Sequence, residues 1–256
     1  MKRDDTPPKF RWLRRLLAAA AFGTGVFVFW LFAIWPPPSW YRTHFPRETA
    51  FMAMRRRAAE EPFERKYLPV PAESIAPVMR RAAMVAEDHR FYEHGGIDFL
   101  AVLEAMGYRR SEFSWDGPRD RKELERALQR AWSRRDDIRG ASTITQQLAK
   151  NLYLSPSRNP LRKVKEAVTA WRMEAALGKD RILELYLNVV ELGDEVWGVE
   201  AASREYFRRS AARLSWEQAA ALAGTLPHPR TSNPAHRPGR MRWRQNMILE
   251  RLRRGG

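Results

Sequence analysis

The feature that most restricts this chain is the stretch from Leu16 to Trp35, LLAAAAFGTGVFVFWLFAIW, twenty residues without a single charge. As an α-helix rising about 1.5 Å per residue it covers a hydrocarbon core of roughly 30 Å, and a helix satisfies its own backbone polar groups there. Residues 16–35 are therefore read as one transmembrane helix. Ahead of it Lys2, Arg3, Lys9, Arg11, Arg14 and Arg15 stand against Asp4 and Asp5, a local excess of +4 that holds residues 1–15 in the cytoplasm. The remainder is then exported. A cleaved signal peptide is the rival reading, but the run is longer than the usual apolar segment of a signal and ends in WPPPSW, with no small-x-small cleavage site. Pro36 to Pro38 are expected to end the helix, and Trp30, Trp35, Trp40 and Tyr41 to lie in the outer interface.

Beyond the anchor a little over 200 residues remain, enough for one sizeable core or two closely packed lobes. The formal net charge is +16, so the exported part keeps +12 and favours anionic partners such as lipid headgroups or phosphates. With no cysteine in the chain, a disulfide framework, a thiolate metal site and a cysteine nucleophile are all excluded.

The apolar pattern is helical almost throughout, with no sustained period-two alternation and no repeat. Residues 36–70, broken by Pro46, Pro62 and Pro69, read as a stalk and entry segment. From Ser74 to Glu87 the apolar positions Ile75, Val78, Met79, Ala82 and Val85 form one stripe, which puts Glu87 and Asp88 at a helix end. Asn159 and Pro160 read as cap and first residue of a helix running to about Gly178, and Asp180 as the cap of the next. Ser215-Trp216-Glu217-Gln218 is a capping box, and Arg237 to Arg254 a terminal basic amphipathic helix. Tyr108 to Asp136 is charge-rich with Gly117 and Pro118 inside, and reads as a flexible insertion carrying one helix.

Two clusters carry chemistry. Glu87 and Asp88, followed by Phe91 and His94, place a carboxylate against aromatic surface, where desolvation raises its pKa toward that of a useful base. Such acid pairs are more often solvated helix ends. Downstream, helical spacing puts Thr143, Gln147 and Lys150 near one face, and Gln146 and Gln147 offer amides to sugar hydroxyls. Lys150, Arg158, Arg162, Lys163 and Lys165 fall within 16 residues, with Glu166 beside them. Converging cations hold a pyrophosphate, and a carboxylate among them positions a metal or a proton. The bland alternative is a solvated charged face.

In order along the chain, EDHRFYEHGG, GASTITQQLAKNL, RKVKE, KDRILELYLN and GVEAASREYF resemble the successive motifs of the peptidoglycan glycosyltransferases, glycosyltransferase family 51, over roughly Pro69 to Asn233. The resemblance implies a mainly α, lysozyme-like two-lobed domain at 71–256, a head and a membrane-proximal jaw, with the insertion at about 108–136 in the jaw. It further implies polymerisation of lipid II into β-1,4-linked glycan by inverting transfer, with release of undecaprenyl pyrophosphate. Glu87 matches the catalytic base. Glu166 matches the second glutamate at the donor pyrophosphate, helped by Lys150 and Arg158 and by a divalent cation, Mg or Mn, with no organic cofactor. Ser142, Gln146, Gln147, Arg162 and Lys163 match further cleft residues, whereas Asp88, His94 and Asn188 are read as support. The partners implied are lipid II, the growing glycan strand, anionic membrane lipids and cell-division or elongation proteins. The expected location is the bacterial inner membrane, with the catalytic domain in the periplasm. No S-x-x-K or K-T-G transpeptidase motif follows the glycosyltransferase region, so a monofunctional member is expected. Phe99, Leu100, Leu103, Met106, Phe113 and Trp115 are equally readable as a lipid-touching jaw surface or as core.

Two rival functions are weighed. A lysozyme-like muramidase or lytic transglycosylase shares the fold and the glutamate but gives no use to Lys150, Arg158 and the RKVKE cations. A helix-turn-helix reader fits TITQQLAKNLYLSPSR and the basic composition, but an exported domain meets no chromosome, so no nucleic-acid partner is expected.

Overall fold

The computed structural model describes residues 8–60, 62–105, 116–133, 142–154 and 160–254. Eleven α-helices and three very short strands are found among them. The first helix, α1 (Pro8–Phe32), contains an apolar span from Trp12 to Phe32 that is long enough to cross a bilayer. It stops before Trp35, as the chain approaches the three prolines. Trp35 and Trp40 are exposed, but Tyr41 is not: it is 4% exposed and belongs to the core of the domain.

The segment expected as a stalk is instead built into the domain. After a 3₁₀ turn at Pro38–Arg42, α2 (Ala50–Ala58) starts at Thr49, whose hydroxyl accepts from the Met52 amide at 3.1 Å. Met52 is fully buried, and Arg55 pairs with Glu191 at 3.0 Å. The strand β1 (Lys66–Tyr67) then joins a small sheet with β2 (Glu191–Gly193) and β3 (Val196–Trp197), in the order β1-β3-β2. The first pair is parallel, with Lys66 opposite Val196, and the second is antiparallel with a bulge. Strands of two or three residues are too short to show a period of two.

The core is helical. The expected stripe forms α3 (Pro77–Glu87), shorter at its start than read from sequence because Ala72–Ser74 is a 3₁₀ turn. Its end is where the pattern put it, with Asp88 as C-cap. Next come α4 (Phe99–Ala105) and α5 (Pro118–Ser133), the latter being the one helix expected in the insertion. The helix α6 (Ile144–Tyr153) and the long α7 (Pro160–Leu177) pack on each other and on α8 (Lys179–Val189). The N-cap of α8 is Gly178 at φ +76°, not Asp180; Asp180 lies in the first turn and accepts from the Tyr92 hydroxyl at 2.8 Å.

After α9 (Val199–Phe207), the capping box at Ser215 opens α10 (Trp216–Thr225) as the spacing indicated. The buried side of α10 is mostly small residues (Ala219, Ala220, Ala223 and Gly224), so α3 and the terminal α11 (Gly239–Arg253) approach it closely. Asn188 knits the entry segment to α8. Its side chain accepts from the Val70 amide at 2.8 Å and donates to the Val70 carbonyl at 2.9 Å. Gly198, at φ +80°, lies over the same residue: a Cβ there would stand 2.3 Å from the Asn188 carbonyl oxygen.

Candidate active site

Glu87 is the last residue of α3, so its side chain leaves a helix end and enters a cleft of about 620 Å³ lined also by Ser142, Gln147, Pro227, His228 and Arg244. Both carboxylate oxygens are held. Gln147 Nε2 donates to one at 3.0 Å, and an Arg244 guanidinium nitrogen donates to the other at 3.0 Å. The Gln147 amide is oriented in turn by the Tyr186 hydroxyl, which donates to its Oε1 at 3.1 Å. Burial is the largest influence on Glu87 and raises its pKa; Gln147, Arg244 and Lys150 pull the other way without cancelling it. The result is a more basic carboxylate, fixed in direction.

Asp88 faces the opposite way. Its carboxylate accepts from His94 Nε2 at 2.9 Å and from the Ile144 amide, the first residue of α6, at 3.0 Å. A carboxylate at a helix N-terminus satisfies an orphan amide and complements the macrodipole, so Asp88 and His94 tie α6 to the end of α3. Thr143 adds a second tie, donating to the Gly96 carbonyl at 2.7 Å.

Gln146 departs from expectation. It is 4% exposed and is the third residue of a capping box, its side-chain oxygen accepting from the Thr143 amide while the Thr143 hydroxyl accepts from the Gln146 amide. Packed into the start of α6, it does not line the cleft and is no sugar contact. Thr143-Ile144-Thr145-Gln146 has the spacing of a capping box, so the signal was present in the sequence.

The second carboxylate, Glu166 on α7, is 2% exposed. Arg162 donates to one of its oxygens at 2.8 Å and Lys163 contacts the other. Lys163 Nζ also donates to the Ser142 hydroxyl at 2.9 Å, and the Ser142 carbonyl accepts from Gln147. A continuous path of polar contacts therefore runs from Glu87 through Gln147, Ser142 and Lys163 to Glu166. Lys150, one turn beyond Gln147, feels both glutamates: desolvation lowers its pKa, Glu166 is the largest influence raising it again, and Glu87 adds to this. Lys165 does not join the cluster; it turns from the cleft to the end of the anchor, donating to the Ala33 carbonyl at 3.0 Å. Arg158, Met106, Phe113 and Trp115 lie outside the described residues. Phe99 and Leu100 are 70% and 42% exposed, which favours the surface reading of α4.

The Glu166 carboxylate does not fit a protein-held divalent cation, because both of its oxygens already face cationic side chains. Asp88, His94 and Asp98 bring their ligand atoms within 4.8 Å of one another, but Asp98 is taken by Arg90 at 2.9 Å and by the Ala101 amide, and Asp88 by His94 and Ile144. That group is structural.

The family model described as transglycosylase matches residues 55–117 and 110–253, which span both carboxylates and α11. The chain belongs to the transglycosylase family. It is 40% identical over 247 residues to the biosynthetic peptidoglycan transglycosylase of Azoarcus sp. (strain BH72), covering 91% of this chain and 96% of that one. It is 37% identical over 245 residues to the protein of that name from Thiobacillus denitrificans, covering 94% of each. With the Bdellovibrio bacteriovorus protein of that name the identity is 43% over 183 residues, covering 72% of this chain and 64% of that one. The chain is thus a peptidoglycan glycosyltransferase of cell wall synthesis, and α1 is its candidate membrane anchor.

Arg244 of this transglycosylase is the residue contacting Glu87 that sequence reading missed, and the cleft-lining Pro227 and His228 were missed with it. It sits in a basic helix among Arg240, Arg242, Arg251 and Arg253, and nothing in that pattern marks one arginine over another. Its contact with Glu87 joins positions 157 apart in the chain.

Proposed function

We propose that the cleft polymerises lipid II, with Glu87 as general base. Glu87 removes the proton from the 4-hydroxyl of the acceptor's N-acetylglucosamine. The freed oxygen attacks the anomeric carbon of the N-acetylmuramic acid at the reducing end of the growing strand. The α-bond to undecaprenyl pyrophosphate breaks, a β-1,4 bond forms with inversion, and the pyrophosphate carries away the bonding electrons. Gln147 and Arg244 hold the base in line, and burial makes it strong enough to share the proton as the new bond forms. Lys150, Arg162 and Lys163 lie where charge grows on the leaving group, and Glu166 keeps them converged on one spot. From its place in the motif, Arg158 is assigned the same role.

One observation carries this reading: a largely buried, doubly held carboxylate is connected through Gln147 and Ser142 to a cluster of cations. A muramidase needs the first part and has no use for the second, since its leaving group carries no phosphate. The deciding assay gives the purified full chain labelled lipid II in detergent. Lysozyme-sensitive polymer supports the reading, while cleavage of preformed glycan without polymer formation removes it.

We further propose that α1 anchors the enzyme in the inner membrane with the domain in the periplasm, from the excess of cations over residues 1–15 and the uncharged run that follows from Leu16. A reporter active only in the periplasm, fused after Gly256, is expected to be active; silence there with activity of a cytoplasmic reporter overturns the orientation.

A further inference from the structure

Where α1 gives way to the domain, the structure leaves a cavity of about 340 Å³. Ile34, Ala53 and Leu152 supply apolar wall, and Tyr153, Lys165 and Glu48 supply the polar groups. Among the described residues it shares no lining residue with the cleft that holds Glu87.

The polar groups are out of balance. Lys165 is 9% exposed. Of its three donors one goes to the Ala33 carbonyl, and the ammonium lies 4.7 Å from the centre of the Trp30 ring. The Tyr153 hydroxyl is buried and has no hydrogen-bond partner among the described residues. A buried donor left unpaired is costly, and an oxygen supplied from outside would remove the cost. On the rim the Glu48 carboxylate is outnumbered, being held by Arg56 at 3.0 Å and Arg65 at 3.4 Å. The cavity is therefore apolar on one side, presents the Lys165 ammonium and an arginine-neutralised Glu48 on the other, and is short of one acceptor.

Its depth says what meets it. The apolar span of α1 ends at Phe32, so Ala33 and Ile34 leave the hydrocarbon at headgroup level. This step rests on reading α1 as a membrane anchor. We infer that the cavity binds the phosphate of an anionic phospholipid, which accepts from Lys165 Nζ and the Tyr153 hydroxyl while the glycerol and upper acyl chain lie on Ile34, Ala53 and Leu152. The lipid is a lodger beside the anchor and takes no part in glycosyl transfer.

The test uses the full chain in phosphatidylcholine nanodiscs doped with phosphatidylglycerol, with retained lipid read by native mass spectrometry, and flotation with vesicles as a separate measure of anchoring. Wild type is expected to retain one phosphatidylglycerol in preference to phosphatidylcholine. Tyr153→Phe should lower that retention about ten-fold, the usual worth of a hydrogen bond to a charged group. Ala53→Leu, which fills the cavity without touching a charge, should abolish retention while flotation and polymerisation in detergent stay at wild-type level. Equal retention by Tyr153→Phe and wild type, or equal binding of the two lipids by a chain that still floats, overturns the lipid site alone. Displacement of phosphatidylglycerol by undecaprenyl pyrophosphate overturns it in favour of a substrate path. Failure to float overturns the anchor reading and the lipid site together.

Discussion

Replacing Arg244 with Gln isolates the electrostatic part of Glu87's environment. The guanidinium nitrogen lies 3.0 Å from the carboxylate oxygen, where two unit charges interact by about 5 kcal/mol at an effective dielectric constant of about 20. The side chains are 28% and 15% exposed, so water screens part of this, and the Gln147 hydrogen bond survives the substitution. An opposite charge at this range moves a carboxylate by about one to three pKa units, and the lower half of that range, about 1.4 to 2.7 kcal/mol, is the reasonable expectation. The sign is fixed: burial already holds Glu87 above the ordinary carboxylate range and Arg244 opposes it, so its loss raises the pKa further. The base then stays protonated to higher pH. The acid limb of kcat/KM for lipid II polymerisation should move up by about one to two pH units, with the rate recovering above the limb. Arg244→Lys should return most of the limb toward its wild-type position. A limb that does not move, with the rate depressed equally at every pH, would refute the electrostatic reasoning and make Arg244 a substrate contact.

Glu87→Gln keeps shape and loses the proton acceptor, so polymerisation should fall by about 10² to 10⁴ with the circular dichroism spectrum unchanged; activity within three-fold of wild type (about 0.7 kcal/mol) would remove Glu87 from its role. Glu166→Gln removes the largest influence that keeps Lys150 protonated, so the alkaline limb of the profile should move to lower pH, whereas an unmoved limb would separate Lys150 from Glu166. Gln146→Ala breaks a capping box and should cost about 1 kcal/mol in chemical denaturation with KM unchanged; a KM effect without loss of stability would return it to the substrate. Gly198→Ala forces a Cβ against the Asn188 carbonyl at a positive φ and should destabilise by at least about 3 kcal/mol, which normal expression and melting would contradict.

Much of this was legible because it is local. The end of α3 at Glu87 follows from a one-faced stripe, and the start of α10 from four consecutive residues. The parts that were not legible are contacts between distant segments. Nothing near Tyr41 says that it will be buried, because its cover comes from the core of the domain and includes Tyr153, whose ring lies 6.1 Å from its own. The strand β1 exists only through pairing with β3 across more than a hundred residues, and β2 and β3, though close in the chain, have too few positions each to leave a pattern. Lys165 and Lys163 look alike in RKVKE, yet two residues turn a helix by about 200°, which sends one to the anchor and the other to Ser142. Gln146 was misread for the opposite reason: its local signal was there, and the pull of a polar run toward a sugar-binding role hid it.

The fastening of α7 to the anchor has a mechanical consequence. Arg172 donates to the Phe32 carbonyl at 2.7 Å, Lys165 to that of Ala33, and Arg42 reaches back to the Ala176 carbonyl at 2.7 Å, while Glu166 projects from the same helix between the first two. Joined at both ends of that stretch, the anchor and α7 turn as one lever. A transmembrane helix answers a thicker or thinner bilayer by changing its tilt. With α1 seated in a bilayer as proposed, such a tilt would swing the carboxylate over the membrane surface with it, so bilayer thickness would become a setting for the pitch at which the enzyme meets its lipid-borne substrate.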